Sequence, residues 1–345
     1  MKLILRILPL FILLSCGTIT ETATKSPEQK YDFVLAFGSC NKQEAPQPLW
    51  EPIMKNQPDV FMWGGDNIYA DTPDMQLMQE YYQIQHNVPG YKRLTNSIPV
   101  YGTWDDHDYG VNDGGKEWEF KEESQQLFLD FMGVSEDDPR RGREGVYHSE
   151  LLETPKGNIK LIILDTRYFR DELKPDAVPG KRYKENSKGT ILGEQQWQWL
   201  EEELHTSAAT FNIILSSIQV ISEEHGFETW GNFPAERKRL IKLIENSSAK
   251  NIIILSGDRH ISEFSEMKRD RLNYPLVDFT SSGLTHSYTS FSGEPNRYRI
   301  GEVVSDLSFG LLKFDLKNNK MLMEMRGEKN RLLQQHKVEY PHIKH

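Results

Sequence analysis

Cysteine is scarce in this chain of 345 residues: there are 2, Cys16 and Cys40, which excludes a disulfide framework. An excess of basic charge is missing as well. Lys and Arg total 41 against 51 Asp and Glu, for a net charge of -10, and no basic block or stripe stands out, so nucleic acid is not an expected partner. There is no internal repeat and no low-complexity block, and after the first residues no apolar run is long enough to cross a bilayer. What is present is bulk: 37% hydrophobic residues and 11% aromatics, with 7 Trp, 14 Tyr and 16 Phe, enough for a sizeable core. At roughly 150 residues per domain, the length fits two domains or one large α/β domain.

The first residues explain one cysteine. Lys2 and Arg6 precede an apolar run from Ile7 to Leu14, broken only by Pro9, and Leu13-Leu14-Ser15-Cys16-Gly17 closes it. A charged region, a short apolar region and a small-residue cleavage zone make a secretory signal. Leu-Leu-Ser-Cys resembles the bacterial lipobox, which would make Cys16 the lipidated first residue of the mature chain; an ordinary signal cut nearby is the alternative. The expected organisation is a lipoprotein signal peptide over 1–15, a Thr-, Glu- and Lys-rich flexible tether over 16–30, a functional domain over 31–330 and a polar C-terminal tail over 331–345. The domain would be exported and held to an envelope membrane by the lipid. Loss of Lys2 and Arg6 leaves it two charge units more negative.

One pattern recurs along the domain. Short β-branched or aromatic runs end in polar, glycine-containing turns: Phe33 to Phe37 before Gly38-Ser39-Cys40-Asn41, Val60 to Trp63 before Gly64-Gly65-Asp66-Asn67-Ile68-Tyr69, and Ile98 to Tyr101 before Trp104-Asp105-Asp106-His107-Asp108. The same holds for Leu161 to Leu164 before Asp165-Thr166-Arg167, Ile213 to Leu215 before Ser216-Ser217-Ile218-Gln219, and Ile252 to Leu255 before Ser256-Gly257-Asp258-Arg259-His260. Helical periodicity fills the gaps at 74–88, 117–132, 195–205 and 235–245. Strands alternating with helices predict an α/β protein whose ligand binds beyond the carboxyl ends of the strands. Leu276 to Thr280, Phe309 to Leu316 and Lys320 to Arg326 read as strands of an antiparallel second sheet, the last two joined by a hairpin at Asn318-Asn319.

The polar turns carry the chemistry. Asp66 and Tyr69 stand three apart, able to aim a carboxylate and a phenol at one point, although Gly-Asp is also a common turn dipeptide. Three carboxylates around His107 are costly to bury unless cations compensate them, and a solvated acidic loop is the alternative. Asp258 and His260 could ligate adjacent ions, or form a capped turn with a satisfied histidine. Cys40 is either a small buried hydrophobe or, beside metal, a thiolate ligand. Arg167 could fork onto a phosphate oxygen or pair with Asp165 or Asp171.

Taken together, Gly38-Ser39-Cys40, Gly65-Asp66-Asn67-Ile68-Tyr69, Trp104-Asp105-Asp106-His107-Asp108, Ser256-Gly257-Asp258-Arg259-His260, Asp278-Phe279-Thr280-Ser281-Ser282-Gly283 and the stretch Glu228 to Arg237 resemble the PhoD-like alkaline phosphatases within the calcineurin-like metallophosphoesterases. The resemblance runs in order from about residue 33 to 316. It implies a four-layer α/β/β/α sandwich of two mixed β-sheets. It implies hydrolysis of phosphomonoesters or phosphodiesters by a metal-activated water, with Asp66 bridging metals, Cys40, Tyr69 and His260 joining it around ferric iron (Fe3+), and Asp106 and Asp258 on calcium (Ca2+). His107 would be the general acid. The histidine ligand that the superfamily offers after the strand ending at Ser216 is absent, leaving Gln219 or water for that place.

Two other functions stay open at this point. One is a surface lipoprotein that binds a phosphorylated or glycan ligand without catalysis. The other is a serine esterase using Ser39 with Asp258 and His260.

Overall fold

The β-branched runs are strands because their side chains can be buried on both faces of a sheet, and each ends where the next residues need water or a ligand. The computed structural model describes residues 30–341; the signal peptide, Cys16 and nearly all of the tether lie outside the described residues. In chain order the strands are β1 (Phe33–Gly38), β2 (Val60–Gly64), β3 (Val100–Thr103), β4 (His148–Leu152) and β5 (Ile159–Ile163), then the short β6 (Lys174–Pro175) and β7 (Tyr183–Lys184). They continue with β8 (Phe211–Leu215), β9 (Ile252–Ser256), β10 (Ser262–Met267), β11 (Leu276–Ser281), β12 (Arg299–Val304), β13 (Ser308–Asp315), β14 (Lys320–Gly327) and β15 (Leu332–Glu339). The helices are α1 (Trp50–Lys55), α2 (Met75–Asn87), α3 (Pro89–Thr95), α4 (Asp106–Tyr109), α5 (Lys121–Phe131), α6 (Gly193–Thr206) and α7 (Pro234–Asn246).

Two large mixed sheets result. One has the order β15-β14-β13-β1-β2-β3 and the other β12-β10-β11-β9-β8-β5-β4. In the first, β1, β2 and β3 are parallel while β13 runs antiparallel to β1, pairing Phe33 with Phe314. In the second, β5, β8, β9 and β11 are parallel. Their inner faces meet in one apolar cluster, with Phe37 edge-on to Phe279 at 4.8 Å between ring centroids and Phe211 edge-on to Phe314 at 5.2 Å. Burial of each such side chain contributes about 1.5–3 kcal/mol.

The helices close the outer faces. Trp197, Leu200 and Leu204 of α6 and Leu240, Ile241 and Ile244 of α7 are buried with the second sheet. Trp50 and Ile53 of α1 and Tyr91 and Leu94 of α3 pack on Phe61 and Trp63 of the first. The expected α/β/β/α layering is therefore present. Asp74 caps α2, its side chain accepting from the backbone N–H of Gln76 and Leu77, which offsets orphan donors of the first turn.

Two expectations need correction. The C-terminal strands do not build a separate antiparallel sheet: β13, β14 and β15 extend the first sheet beyond β1, and Leu276–Ser281 joins the second, parallel to β9. The stretch placed in a polar tail is β15, paired along β14 from Lys320 with Glu339 to Arg326 with Leu332. Its alternation is masked because Gln334 and His336 share the side of Val338 and Tyr340, where polar residues find partners: Gln334 accepts from Glu302 N and His336 lies 3.2 Å from Glu266.

Candidate metal centre

The carboxyl ends of the parallel strands of both sheets converge, and a bridge between Ser39 and Ser282 ties the sheets together there. Close approach demands glycine at two points. A Cβ on Gly257 would lie 2.5 Å from the Gly64 carbonyl oxygen and 2.6 Å from Ser39 Oγ, and one on Gly65, whose φ is +96°, would lie 2.5 Å from Asp105 Cβ. Past these glycines the chain turns sharply, and Cys40, Asp66, Asp71, Asp258 and His260 all have left-handed φ, between 44° and 66°. Non-glycine residues in that region cost of order 1–3 kcal/mol each and cluster where function requires them.

Those turns aim the side chains inward. Cys40 Sγ is 3.2 Å from Asp66 Oδ2 and 2.9 Å from Ser282 Oγ. Tyr69 Oη donates to Asp66 Oδ2 at 3.1 Å and lies 3.0 Å from His260 Nε2. Three linked groups have ligand atoms within 4.8 Å of one another: Cys40, Asp66 and His260; Asp66, Asp106 and His107; Asp105, Asp106 and Asp258. The seven residues expected to bind metal or act as acid are thus brought together.

The electrostatics fit cations. Burial, then Cys40 and Asp106, holds the Asp66 carboxyl well above the usual range, and burial, then Asp105 and Asp106, does the same to Asp258. Burial pushes the Cys40 thiol up to about 11 and Tyr69 well above its usual value. Burial, offset in part by Arg167 and reinforced by Asp106, leaves the Asp105 carboxyl at about 7. Asp106 is the exception: its burial is outweighed by Arg167 and His107, which lower it. Among the described residues, Asp66 Oδ1 and Asp105 Oδ2 are buried with no hydrogen-bond partner, a costly arrangement for an anionic oxygen. A bound cation removes that cost, so the donor set fits a metal.

His107 is the second residue of α4, where Asp105 and Asp108 form a reciprocal cap. Its ring stacks on Tyr69 at 4.0 Å and its Nδ1 is 2.7 Å from Asp71 Oδ2. Burial opposes its charge, but Asp106, Asp66 and Asp71 prevail and raise it to about 10.

Arg167 is not where a phosphate could reach it. It is fully buried, with Nε donating to Asp105 Oδ1 at 2.6 Å and Nη1 to Glu228 Oε2 at 2.7 Å. Neither Asp165 nor Asp171 takes its guanidinium; Asp165 instead accepts the backbone N–H of Arg167 and Tyr168. Gln219 donates from Nε2 to Glu263 and Thr280 at 2.8 Å each, while its Oε1 is buried with no hydrogen-bond partner among the described residues. Ser39 Oγ donates to the Ser281 carbonyl at 3.1 Å and is bonded to no imidazole among the described residues, which speaks against the serine esterase reading. Arg259 is held by Glu294 and the Phe227 ring.

Four residues escaped the sequence reading. Asp71 and His286 reach the centre from loops, Asp105 is the inner carboxylate of its motif, and Glu228 neutralises Arg167 and Arg170. Only Asp105 and Glu228 sat inside recognised motifs.

Comparison with known proteins gives the same picture. A model of the family described as PhoD-like phosphatase matches residues 35–298. Alkaline phosphatase D of Bacillus subtilis (strain 168) is 26% identical over 284 residues, 68% of this chain and 47% of that protein, so the chain spans about half the length of that curated relative. A solved structure of PhoD matches with a TM-score of 0.69 at 18% identity, over 91% of this chain and 69% of that one. A dimetal phosphatase from Danio rerio matches at 0.54 and 12% identity, over 90% of this chain and 100% of that one. At such identities the structures speak for the fold, two mixed sheets of the metallophosphoesterase type. The family match spans every residue from Cys40 to His260 that the centre uses, and the chain belongs to the PhoD-like phosphatase family.

Proposed function

We propose that this chain is a metal-dependent hydrolase of phosphoric esters. The observation that carries the reading is the chain of three ligand groups linked through Asp66 and Asp106, with buried carboxylate oxygens left for cations. Cys40, Asp66, Tyr69 and His260 would hold ferric iron, since thiolate, phenolate and imidazole suit a transition metal. Asp106 and Asp258, with Asp105 beside them, would hold calcium, which takes oxygen ligands. When bound there, the cations would supply charge for the phosphoryl oxygens and acidify a water nucleophile.

The chain's own residues do the rest. His107 presents Nε2, which makes no hydrogen bond among the described residues, to the leaving-group oxygen and gives it a proton. Asp71 accepts from Nδ1 and fixes the ring's orientation. Arg167 keeps Asp105 and Glu228 in place without touching substrate. Export and a lipid anchor at Cys16 belong to this proposal on the strength of the Leu-Leu-Ser-Cys run.

Chelation followed by add-back tests it. Hydrolysis of an aryl phosphate or a bis-aryl phosphate is expected to disappear after metal removal and return with iron and calcium together. Chelator-resistant hydrolysis, or a metal-loaded protein that hydrolyses neither compound, contradicts the reading; the latter points to a binding protein.

A further inference from the structure

His286 stands at this centre with no assigned role. Its Nε2 lies 3.2 Å from His260 Nε2, the two rings meet at 72° with centroids 4.3 Å apart, and the Tyr69 ring packs edge-on at 4.9 Å. The loop that carries it is fastened to the ligand turns on both sides. Thr285 N donates to the Cys40 carbonyl at 3.3 Å, Leu284 N to the Ser39 carbonyl at 3.1 Å, and Tyr288 N to the His260 carbonyl at 2.7 Å. A side chain anchored in this way is preorganised relative to Cys40 and His260.

The hydrogen bonds around the ring are compatible with a free Nε2. Thr285 Oγ1 accepts from Lys42 N at 2.7 Å, and when its hydrogen goes to the Cys40 carbonyl at 3.3 Å the hydrogen in its 3.2 Å contact with His286 Nδ1 comes from the ring. With Nδ1 protonated, Nε2 carries the lone pair and points at His260 Nε2. Two imidazole nitrogens that close need a proton or a cation between them. A separation of 3.2 Å also suits two nitrogens on neighbouring positions of one ion at about 2.1 Å each. An Nδ1–H held by a hydrogen-bond acceptor while Nε2 binds is the usual arrangement of a metal-ligating histidine.

We propose that His286 is a further imidazole ligand at this centre, binding through Nε2 the same cation that Tyr69 and His260 hold. It enters from the side of Tyr69 and His260, outside the group of Cys40, Asp66 and His260. The proposal rests on the reading of Cys40, Asp66, Tyr69 and His260 as a metal centre.

The test compares the full chain, purified with its metal, with His286→Ala and His286→Gln. The readouts are metal per chain by elemental analysis, the visible charge-transfer absorption of a metal-bound tyrosinate, and the rate of metal loss to a chelator, with far-UV circular dichroism as the fold control. Both variants are expected to keep the native dichroism, to shift or weaken the absorption and to lose metal at least ~10-fold faster. If the Ala variant does not fold, the Gln variant carries the comparison, and for a colourless metal the rate alone decides. Metal-loaded variants with an unchanged spectrum and a loss rate within twofold of wild type overturn the role of His286 alone. A wild-type protein that holds no metal overturns the centre with it.

Discussion

His107 Nδ1 and Asp71 Oδ2 are 2.7 Å apart, and the carboxylate reaches the ring from a residue held in left-handed backbone conformation at φ 44°. The contact commits Nδ1 and leaves Nε2 for chemistry. His107→Ala is therefore expected to lower kcat by about 10²–10⁴-fold with metal content unchanged. Asp71→Asn, which spoils the ring's orientation without removing it, should cost about 10-fold or more in kcat and little in KM. Steady-state kinetics with parallel metal analysis checks both.

Arg167 predicts a loss of stability where a substrate-binding arginine would predict a change in KM. Removing one partner of a buried ion pair costs about 3–5 kcal/mol, and Arg167→Ala would leave Asp105 and Glu228 facing each other's charge. Arg167→Lys is expected to fail as well, since one ammonium cannot serve both carboxylates at their present positions. Thermal unfolding of the two variants decides; a normal melting temperature with a raised KM would return Arg167 to the substrate.

Gly257→Ala inserts a methyl group where 2.5 Å separates the position from the Gly64 carbonyl. The strand ends carrying Asp66 and Asp258 must then move apart. Metal content is expected to fall along with stability, whereas a Cβ at exposed Gly293, whose φ is +112°, meets no described atom within 4 Å beyond its chain neighbours and should disturb the metal content little.

His225 gives the pH dependence a sign. Burial, then Arg259 and Arg299, holds its imidazole well below the ordinary 6.5. Below pH 6.5 the unfolded chain therefore binds a proton that the folded chain refuses. The stability it contributes is complete above pH 6.5 and is lost as pH falls, by at most about 1.4 kcal/mol per pH unit. Melting temperatures between pH 7 and 5 should fall less steeply for His225→Gln than for the parent.

Much of the centre was legible because strand ends are local events. Asp66 and Asp258 each follow a glycine and a β-branched or aromatic run, so sequence alone places them at one edge of a sheet. Arg167 was misread because its partners, Asp105 and Glu228, are 62 and 61 residues away; only Asp165 and Asp171 are visible nearby. His286 was passed over because its position depends on Thr285 reaching Cys40, a contact across 245 residues. Sheet membership failed for the same reason: the pairing of β13 with β1 joins opposite ends of the domain, and β15 hides its register behind inward polar residues.

The central claim is that the clustered ligands hold metals that hydrolyse phosphate esters. Elemental analysis of the purified protein, paired with assays on an aryl phosphate and a bis-aryl phosphate, tests it most directly. The account predicts iron and calcium bound to the chain and hydrolysis of at least one of the two esters. Absence of both metals together with no hydrolysis of either compound would contradict it.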